Sequence, residues 1–329
     1  MSGNKSKSFK VTSGVAQGSR LGPLLFAIFV NDLVEVVKFA NIELFADDCR
    51  LNMKILSPQD AHKLQEDINN VDRWIRNNKL QVNGSKCQKI TFSRASVTMK
   101  FEYKINDVNI EESESVRDLG VVLDCKWSFL EHINTVIAKF LKTIRFIKKT
   151  TAYFSDPEVI IYLFKYLVLP GLNYGSVIWS PYLKKDIDKL NMVITNFLRY
   201  ISYKKGKPMA VEDHNYKNIS IECKLFKIET VHKINDIFFI IDNMRNKINT
   251  PNFAEYFKRR EENYYLRWHQ PFKEDILKKD YIINAPIHRL IRSWNDLMEK
   301  KSSQLLEDTL CKSELKNEFL NIFKACLNY

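Results

Sequence analysis

Apolar side chains recur every three or four positions in two early segments of the chain, and this spacing predicts amphipathic helices. The first segment covers residues 21–38, where Pro23 is tolerated because it would lie in the first helical turn. The second covers residues 57–78, where Ser57 and Pro58 form a favourable N-cap and first helical position. Two helices are therefore expected in the first quarter of the chain.

Runs of β-prone residues flank Ala46-Asp47-Asp48, which lies between the two predicted helices. This pattern predicts a hairpin whose turn carries adjacent carboxylates. Residues 79–124 contain further β-prone runs that are separated by turn signals. Strands are expected there at residues 89–92, 99–105 and 116–123.

Helical spacing returns in the remainder of the chain. The apolar face of residues 129–150 consists of Ile133, Ile137, Phe140 or Leu141, Ile144 and Ile147. Helices are predicted to continue after a break at Ser155-Asp156-Pro157, and Lys204-Lys205-Gly206-Lys207-Pro208 is the best linker candidate. All nine glycines lie at or before Gly206, so the turn-rich part precedes the helix-rich part. The predicted fold class is α+β.

Basic residues also recur every three or four positions in residues 129–150, which gathers them into a stripe on a face beside the apolar one. The residues of this stripe are Lys142, Arg145, Lys148 and Lys149. Such a stripe is usually a solvated surface, and contact with phosphate groups is the alternative. The formal net charge of +12 favours polyanions as partners, whether nucleic acid, an anionic membrane surface or acidic proteins.

The six cysteines are widely scattered and form no Cys-x-x-Cys pair, which favours reduced thiols in an intracellular protein over a zinc site or a disulfide framework. The apolar run of residues 24–30 is far shorter than the roughly 20 residues that span a bilayer, so no membrane helix is expected. Secretion is not expected either, because Asn31-Asp32 follows this run where a signal peptide would have small residues.

Phe45-Ala46-Asp47-Asp48 (FADD) is the sharpest chemical feature of the sequence. Adjacent carboxylates on a turn can offer oxygen ligands to Mg²⁺, which suits phosphoryl transfer with two metal ions. Asp-Asp is also common in ordinary surface turns. The tetrapeptide alone leaves both interpretations open.

The surrounding motifs change this balance. Upstream stand Ser13-Gly14-Val15-Ala16-Gln17-Gly18-Ser19-Arg20-Leu21-Gly22-Pro23-Leu24-Leu25-Phe26 and Asn31-Asp32-Leu33. Downstream follow Trp74-Ile75-Arg76-Asn77-Asn78-Lys79-Leu80, Asn83-Gly84-Ser85-Lys86-Cys87, Arg117-Asp118-Leu119-Gly120-Val121-Val122-Leu123-Asp124, His132-Ile133, Leu167-Val168-Leu169-Pro170 and Tyr174-Gly175-Ser176-Val177-Ile178-Trp179. Their order over residues 11–200 resembles that of the reverse transcriptases of jockey-like non-LTR retrotransposons.

The resemblance implies an RNA-directed DNA polymerase that uses Mg²⁺, an RNA template and a DNA primer. It makes Asp47 the principal metal ligand and Asp48 its neighbour near the primer end. Gln17 and Gly18 would line the template and nucleotide pocket, where glycine permits close approach of the backbone. Lys86 would lie near the triphosphate.

The resemblance also implies a domain order. Residues 1–125 would form a partial palm that carries the FADD hairpin, residues 126–203 a helical thumb, and residues 204–329 a helical C-terminal region. Leu119 and Gly120 would form the primer-grip hairpin of the palm. The basic stripe after residue Phe129 would then contact the phosphates of the duplex.

Two departures from the family pattern bear on activity. Ala16 stands where the family commonly has proline. The family's first catalytic motif, which carries a further metal-binding Asp, lies upstream of the glycine motif, and only residues 1–12 precede that motif here. We therefore expect a polymerase fragment that has no fingers and is inactive alone. The expected location is the nucleus or the cytoplasm. The alternative is a non-catalytic nucleic-acid-binding protein, either a relic or a product retained by the host.

Overall fold

The computed structural model describes residues 14–15, 18–95, 99–206, 217–244, 247–248, 250, 253–257, 272–273 and 279–298. Contacts within the chain divide it into two compact units. The first unit comprises Met1–Val116 and Asp124–Lys126, and the second comprises Arg117–Leu123 and Trp127–Tyr329. The described residues form helices and small two-stranded sheets, which confirms the predicted mixture of helix and strand.

The first unit begins with one helix and one hairpin, followed by a long helix and short strands. Its helices and strands are α1 (Gly22–Val30), β1 (Asn41–Phe45), β2 (Asp48–Asn52), α2 (Pro58–Asn77), β3 (Gln88–Lys89), β4 (Lys104–Ile105), β5 (Val108–Asn109) and β6 (Glu111–Glu112). Two 3-10 helices, Asn31–Val36 and Gly84–Lys86, lie between these elements.

The single helix predicted for residues 21–38 is wrong beyond Val30. The chain continues as the 3-10 helix Asn31–Val36, and Val37 is already extended. The backbone N–H groups of residues 38–40 donate to the side chain of Asp67 on α2 instead of to a preceding helical turn. This tertiary contact competes with continuation of the helix, and apolar spacing does not encode it.

Helix α2 forms where the pattern predicts it. Ser57 and Asp60 form a capping box, in which each side chain bonds to the backbone N–H of the other residue. Val71 and Trp74 are buried on the inner face of α2 and join a core with Leu33. The apolar side chains of β1 and β2 pack against this core, so the hairpin rests on α2 by one face.

The strands of residues 79–124 are shorter than predicted. β3 pairs with β6 in parallel, and β4 pairs with β5 across a tight turn. The run predicted as one strand at residues 116–123 instead folds into a hairpin of β7 (Ser115–Asp118) and β8 (Val121–Asp124). Leu119 and Gly120 both have a positive φ, and these two residues reverse the chain between the strands.

The second unit is helical after this hairpin. Its helices are α3 (Leu130–Thr150), α4 (Pro157–Leu167), α5 (Leu169–Asn173), α6 (Ser176–Trp179), α7 (Lys184–Lys204), α8 (Lys217–Cys223), α9 (Ile228–Met244), α10 (Phe253–Tyr256), α11 (Asp280–Ile283) and α12 (Pro286–Met298). The largest core joins β8 and helices α3 to α8, and a smaller one joins helix α9 with helix α12 and Phe272.

Helix α3 confirms the predicted range of residues 129–150 and settles the choice left open on its apolar face. Phe140 is buried, whereas Leu141 is half-buried. Helix α4 begins at Pro157 after the predicted break, and the Asp156 side chain accepts the N–H of Glu158 as an N-cap. The predicted linker begins at Lys204, which is still the last residue of α7, and its Lys207 and Pro208 lie outside the described residues.

Candidate active-site hairpin and nucleic-acid surface

The Asp-Asp pair lies at the end of the β1–β2 hairpin. Phe45 pairs with Asp48, and the two residues Ala46 and Asp47 connect the strands. Ala46 has a φ of 52°, which fits the positive φ that tight hairpin turns require. Both carboxylate residues are exposed. Adjacent residues of one turn thus present two carboxylates to solvent.

Contacts away from the turn fix the register of this hairpin. Glu43 and Arg50 are opposite each other, and their side chains form an ion pair at 3.2 Å. Within the described part of the chain, neither Asp47 nor Asp48 forms such a pair with a basic side chain. Their oxygens are therefore open to a cation from solvent.

Asp67 is a site residue that the sequence analysis missed. Its side chain is fully buried and accepts the backbone N–H groups of Lys38, Phe39 and Ala40 at 2.8, 2.9 and 2.7 Å. These three residues lead directly into β1. Asp67 thus fixes the start of the strand that leads to the turn at Asp47. Its place on the inner face of an amphipathic helix, where an apolar residue is expected, is the signal that could have revealed it.

The described residues also place Gly18 and Lys86. Gly18 is exposed and has a φ of +81°, a conformation that favours glycine, whereas Gln17 lies outside the described residues. Lys86 is exposed at the end of the 3-10 helix Gly84–Lys86.

Leu119 and Gly120 form the exposed turn of the β7–β8 hairpin, with φ values of 43° and 87°. The Tyr174 hydroxyl donates to the Leu119 carbonyl at 2.8 Å. A Cβ atom on Gly120 would lie 3.3 Å from the Tyr174 ring. The turn is thus packed against a residue of the helical unit to which it belongs.

The basic stripe of α3 divides into two parts. Lys142, Arg145 and Lys149 are exposed. Lys148 is half-buried, and its Nζ donates to Asn196 Oδ1 at 2.6 Å and to the Asn196 carbonyl at 3.2 Å. Desolvation lowers the pKa of Lys148, and the charge of Arg199 lowers it further. Three of the four predicted residues are thus presented to solvent.

The arginines of the C-terminal segment 285–295 face the protein. Arg289 forms an ion pair with Asp236 at 2.9 Å and donates to the carbonyls of Ser176 and Val177 at the start of α6. Arg292 donates to the carbonyl of Ile283. These side chains stabilise the packing of α12 on α6, α9 and α11.

Among the described residues, no group of three or more His, Cys, Asp or Glu side chains is arranged to hold a metal ion. No helix in the described ranges is long and apolar enough to cross a membrane.

Comparisons with known proteins place these features in a family context. Residues 1–123 match the family model of the reverse transcriptase (RNA-dependent DNA polymerase). No solved structure matches the chain.

Similar proteins occur among the polymerases of insect mobile elements. The chain is 28% identical over 246 residues to the RNA-directed DNA polymerase from mobile element jockey of Drosophila funebris. The aligned region covers 69% of this chain and 25% of that protein. The corresponding jockey polymerase of Drosophila melanogaster is 25% identical over 210 residues, covering 61% of this chain and 23% of that protein. A probable RNA-directed DNA polymerase from transposon X-element of Drosophila melanogaster is 25% identical over 206 residues, covering 60% and 22%.

The chain spans about a quarter of the length of these relatives. The family match covers the FADD hairpin, and the relatives are polymerases of mobile elements. These findings confirm the resemblance predicted from the order of the motifs, which is to the reverse transcriptases of jockey-like non-LTR retrotransposons.

Proposed function

We propose that this chain is part of an RNA-directed DNA polymerase of a non-LTR retrotransposon. The observation that carries the proposal is the hairpin that presents Asp47 and Asp48 at its turn, inside the segment that matches the reverse transcriptase family. In this proposal residues 1–125 are part of the palm, residues 126–203 are the thumb, and residues 204–329 are a helical C-terminal region.

Asp47 and Asp48 are the proposed ligands of Mg²⁺. Their exposed, adjacent carboxylates suit this ion, which prefers oxygen ligands and keeps several of its waters. When bound, Mg²⁺ would stabilise the negative charge that develops on the attacking and leaving oxygens of nucleotidyl transfer. The contribution of the chain is to keep both carboxylates on one short turn, whose strands pack on α2 and whose entry is fixed by Asp67.

The proposed partners are an RNA template and a DNA primer. The exposed side chains of Lys142, Arg145 and Lys149 on α3 would contact the phosphates of their duplex without reading sequence. The net charge of +12 supports the same proposal, because binding to phosphates releases counterions from nucleic acid.

Five further residues have proposed roles that follow from the family resemblance. Gln17 and Gly18 would line the template and nucleotide pocket, and Lys86 would lie near the triphosphate. Leu119 and Gly120 would contact the primer. The open surface around Gly18 supports its role, since no described atom lies within 4 Å of the position that a Cβ would occupy there.

Helix α1 supports the proposal that the active polymerase is larger than this chain. Leu24, Leu25, Ile28 and Phe29 are all exposed on this helix of nine residues. A contiguous exposed apolar surface marks a place where another element or chain packs. We therefore propose that another segment of the polymerase covers α1 and supplies the remaining carboxylate of the metal site. The 329-residue chain alone would bind duplex without appreciable synthesis.

Primer extension tests this proposal with two proteins. One is the 329-residue chain, and the other joins it to the upstream reverse transcriptase segment of the Drosophila melanogaster jockey polymerase. A labelled DNA primer on an RNA template should be extended by the longer protein in the presence of Mg²⁺. The chain alone should bind the same duplex in a salt-dependent manner and extend it little.

The matched variants are Asp47→Asn and Asp107→Asn. Asp107 also lies in a tight exposed turn, between β4 and β5, outside the proposed site. Asp47→Asn should reduce extension by the longer protein at least about 100-fold, as expected for loss of a metal ligand, whereas Asp107→Asn should leave it unchanged. Equal extension by both variants would overturn the assignment of Asp47. Duplex binding by a longer protein that never extends the primer would instead favour a non-catalytic nucleic-acid-binding protein.

A further inference from the structure

The β7–β8 hairpin is too small to fix the position of its own turn. Each strand has four residues, and a two-stranded hairpin is marginally stable by itself. Its turn residues Leu119 and Gly120 are exposed at the surface. Support for the turn must therefore come from the remainder of the helical unit.

Tyr174 supplies the first contact. Its hydroxyl donates to the carbonyl of Leu119 at 2.8 Å, 55 residues away in sequence. The next residue, Gly175, has a φ of 65°, and a Cβ there would lie 3.2 Å from a methyl group of Val121. Tyr174 and Gly175 therefore pack directly on the turn and on the strand that follows it.

Trp179 in turn positions Tyr174. The Trp179 Nε1 atom donates to the Tyr174 carbonyl at 2.8 Å, and the indole is 1% exposed. The ring edge of His132 contacts this indole, with the ring centroids 4.8 Å apart. Trp179 thus connects Tyr174 with the start of α3.

His132 completes the connection back to the hairpin. The backbone N–H of Val122 on β8 donates to His132 Nδ1 at 3.2 Å. Nδ1 must be unprotonated to accept this bond, so the neutral ring carries its hydrogen on Nε2. Within the described residues, Nε2 has no hydrogen-bond partner, and desolvation lowers the pKa of His132 to about 4. The neutral ring is therefore maintained at physiological pH.

We propose that His132, Tyr174 and Trp179 form an aromatic clamp that positions the Leu119–Gly120 turn for contact with the end of the primer strand. The clamp accounts for the motif Tyr174-Gly175-Ser176-Val177-Ile178-Trp179, to which the proposed function assigns no role. The three side chains are positioning residues, since the backbone of the turn makes the proposed contact. The inference rests on the proposed function for its ligand and on the observed contacts for the clamp.

Two measurements on the 329-residue chain test the clamp, and neither requires catalysis. Tyr174→Phe removes the hydroxyl and keeps the ring, and Tyr162→Phe is the matched control on an exposed tyrosine of α4. Hydrogen exchange of a peptide that contains Leu119 to Val122 should accelerate about tenfold in Tyr174→Phe, as expected for the loss of one hydrogen bond, and should not change in Tyr162→Phe. Unchanged exchange in Tyr174→Phe would overturn the clamp.

The second measurement is photo-crosslinking to an RNA–DNA duplex whose primer ends in a thiolated thymidine. The peptide that contains Leu119 and Gly120 should crosslink to this nucleotide, and the yield should fall several-fold in Tyr174→Phe at equal duplex occupancy. Absence of this crosslink in the unaltered chain, or an equal yield in Tyr174→Phe, would overturn the positioning role. Failure of the proposed function has a different signature, namely primer extension that does not depend on Asp47.

Discussion

At the scale of single residues, Asp67 shows how one buried carboxylate can fix a loop. It accepts three backbone N–H groups from residues 38–40, which would otherwise be left without partners at the entry to β1. Such charge-assisted bonds are stronger than bonds between neutral groups. The position of the Asp47 turn therefore depends on a helix residue that is 20 positions further along the chain.

We predict that Asp67→Asn destabilises the first unit by about 2–3 kcal/mol, because the amide loses the charge and places donors opposite backbone donors. Exchange of the amides of Lys38, Phe39 and Ala40 should accelerate together with this loss. The matched control is Glu66→Gln, since Glu66 forms an exposed ion pair with Lys38, and its loss should change stability by less than about 0.5 kcal/mol. Equal effects of the two variants in urea unfolding would contradict the prediction.

His132 and His232 are buried in the helical unit, and both rings contact Trp179. The Leu172 carbonyl can only accept a hydrogen bond, so His232 Nε2 carries the hydrogen and Nδ1 accepts from the Ser180 hydroxyl. Desolvation lowers the pKa of each ring to about 4, and the charges of Arg117 near His132 and Arg289 near His232 act in the same direction.

We predict that the helical unit loses stability as the pH falls from about 6.5 to about 4. In this window the histidines of the unfolded chain bind protons, whereas those of the folded chain stay neutral, so the free energy of unfolding decreases with decreasing pH. The two histidines make their full contribution to stability above the pKa that they have in the unfolded chain. Urea unfolding at several pH values, followed by tryptophan fluorescence, measures the slope.

His132→Asn is the test variant for this pH dependence. Its side-chain oxygen can still accept the N–H of Val122 but does not titrate, so the slope should become smaller even though packing on Trp179 is lost. His288→Asn, on the half-buried surface of α12, is the control and should keep the slope. A slope that is identical in His132→Asn and the unaltered chain would exclude His132 as a contributor.

At the scale of elements, helical geometry explains why the basic stripe of α3 divides. At about 100° per residue, Lys142, Arg145 and Lys149 fall within an arc of about 60°, on the side of α3 opposite its buried face. Lys148 lies about 60° beyond this arc, toward α7. Its Nζ therefore reaches Asn196 and lies 5.6 Å from the centre of the Tyr200 ring.

We predict that Lys142→Gln, Arg145→Gln and Lys149→Gln together weaken binding of an RNA–DNA duplex and reduce the slope of log K against log salt by about 2–3. The slope becomes smaller because a variant with fewer phosphate contacts releases fewer counterions from the duplex when it binds. Lys148→Gln should instead lower the melting temperature and change the salt slope little. The control pair Lys184→Gln and Lys185→Gln removes exposed charges from α7, and a slope change as large as that of the triple variant would contradict an α3 site.

At the scale of the whole molecule, α1 presents an apolar surface that the described residues leave exposed. Leu24 is 56% exposed and Ile28 is 64% exposed, whereas Leu33 in the following 3-10 helix is 4% exposed. The side chains of α1 thus contribute little to the core of this chain. Their burial is expected in a larger assembly, such as the intact polymerase proposed above.

We predict that Leu24→Gln with Ile28→Gln reduces self-association and binding of a hydrophobic dye, while stability changes by less than about 0.5 kcal/mol, as is usual at exposed positions. Sedimentation and dye fluorescence measure the two effects. Leu33→Gln is the contrasting variant and should cost at least about 3 kcal/mol, because it buries a polar group and leaves a poorly filled space. A large loss of stability in the Leu24 and Ile28 variant would show that this chain itself buries the face.

The sequence by itself determined the features that depend on local spacing. Apolar periodicity predicted α2 and α3, capping residues predicted the start of α2, and β-prone flanks predicted the hairpin at Asp47. The order of motifs predicted the family resemblance, and the count of charges predicted a basic chain. The helices and the hairpin follow from neighbours within a few positions, and the motif order and the charge are read directly from the sequence, so no tertiary contact is needed to derive them.

Only the tertiary structure decided which of these residues act on one another. Asp67 bonds to a loop 27 to 29 positions away, Lys148 to Asn196 48 positions away, and Tyr174 to Leu119 55 positions away. Periodicity assigns a residue to a face of its own element but does not identify what lies opposite that face. The same limit applies to α1, where apolar spacing predicted an amphipathic helix although Leu25 and Phe29 on its apolar face are exposed, because burial depends on a partner surface and not on the helix.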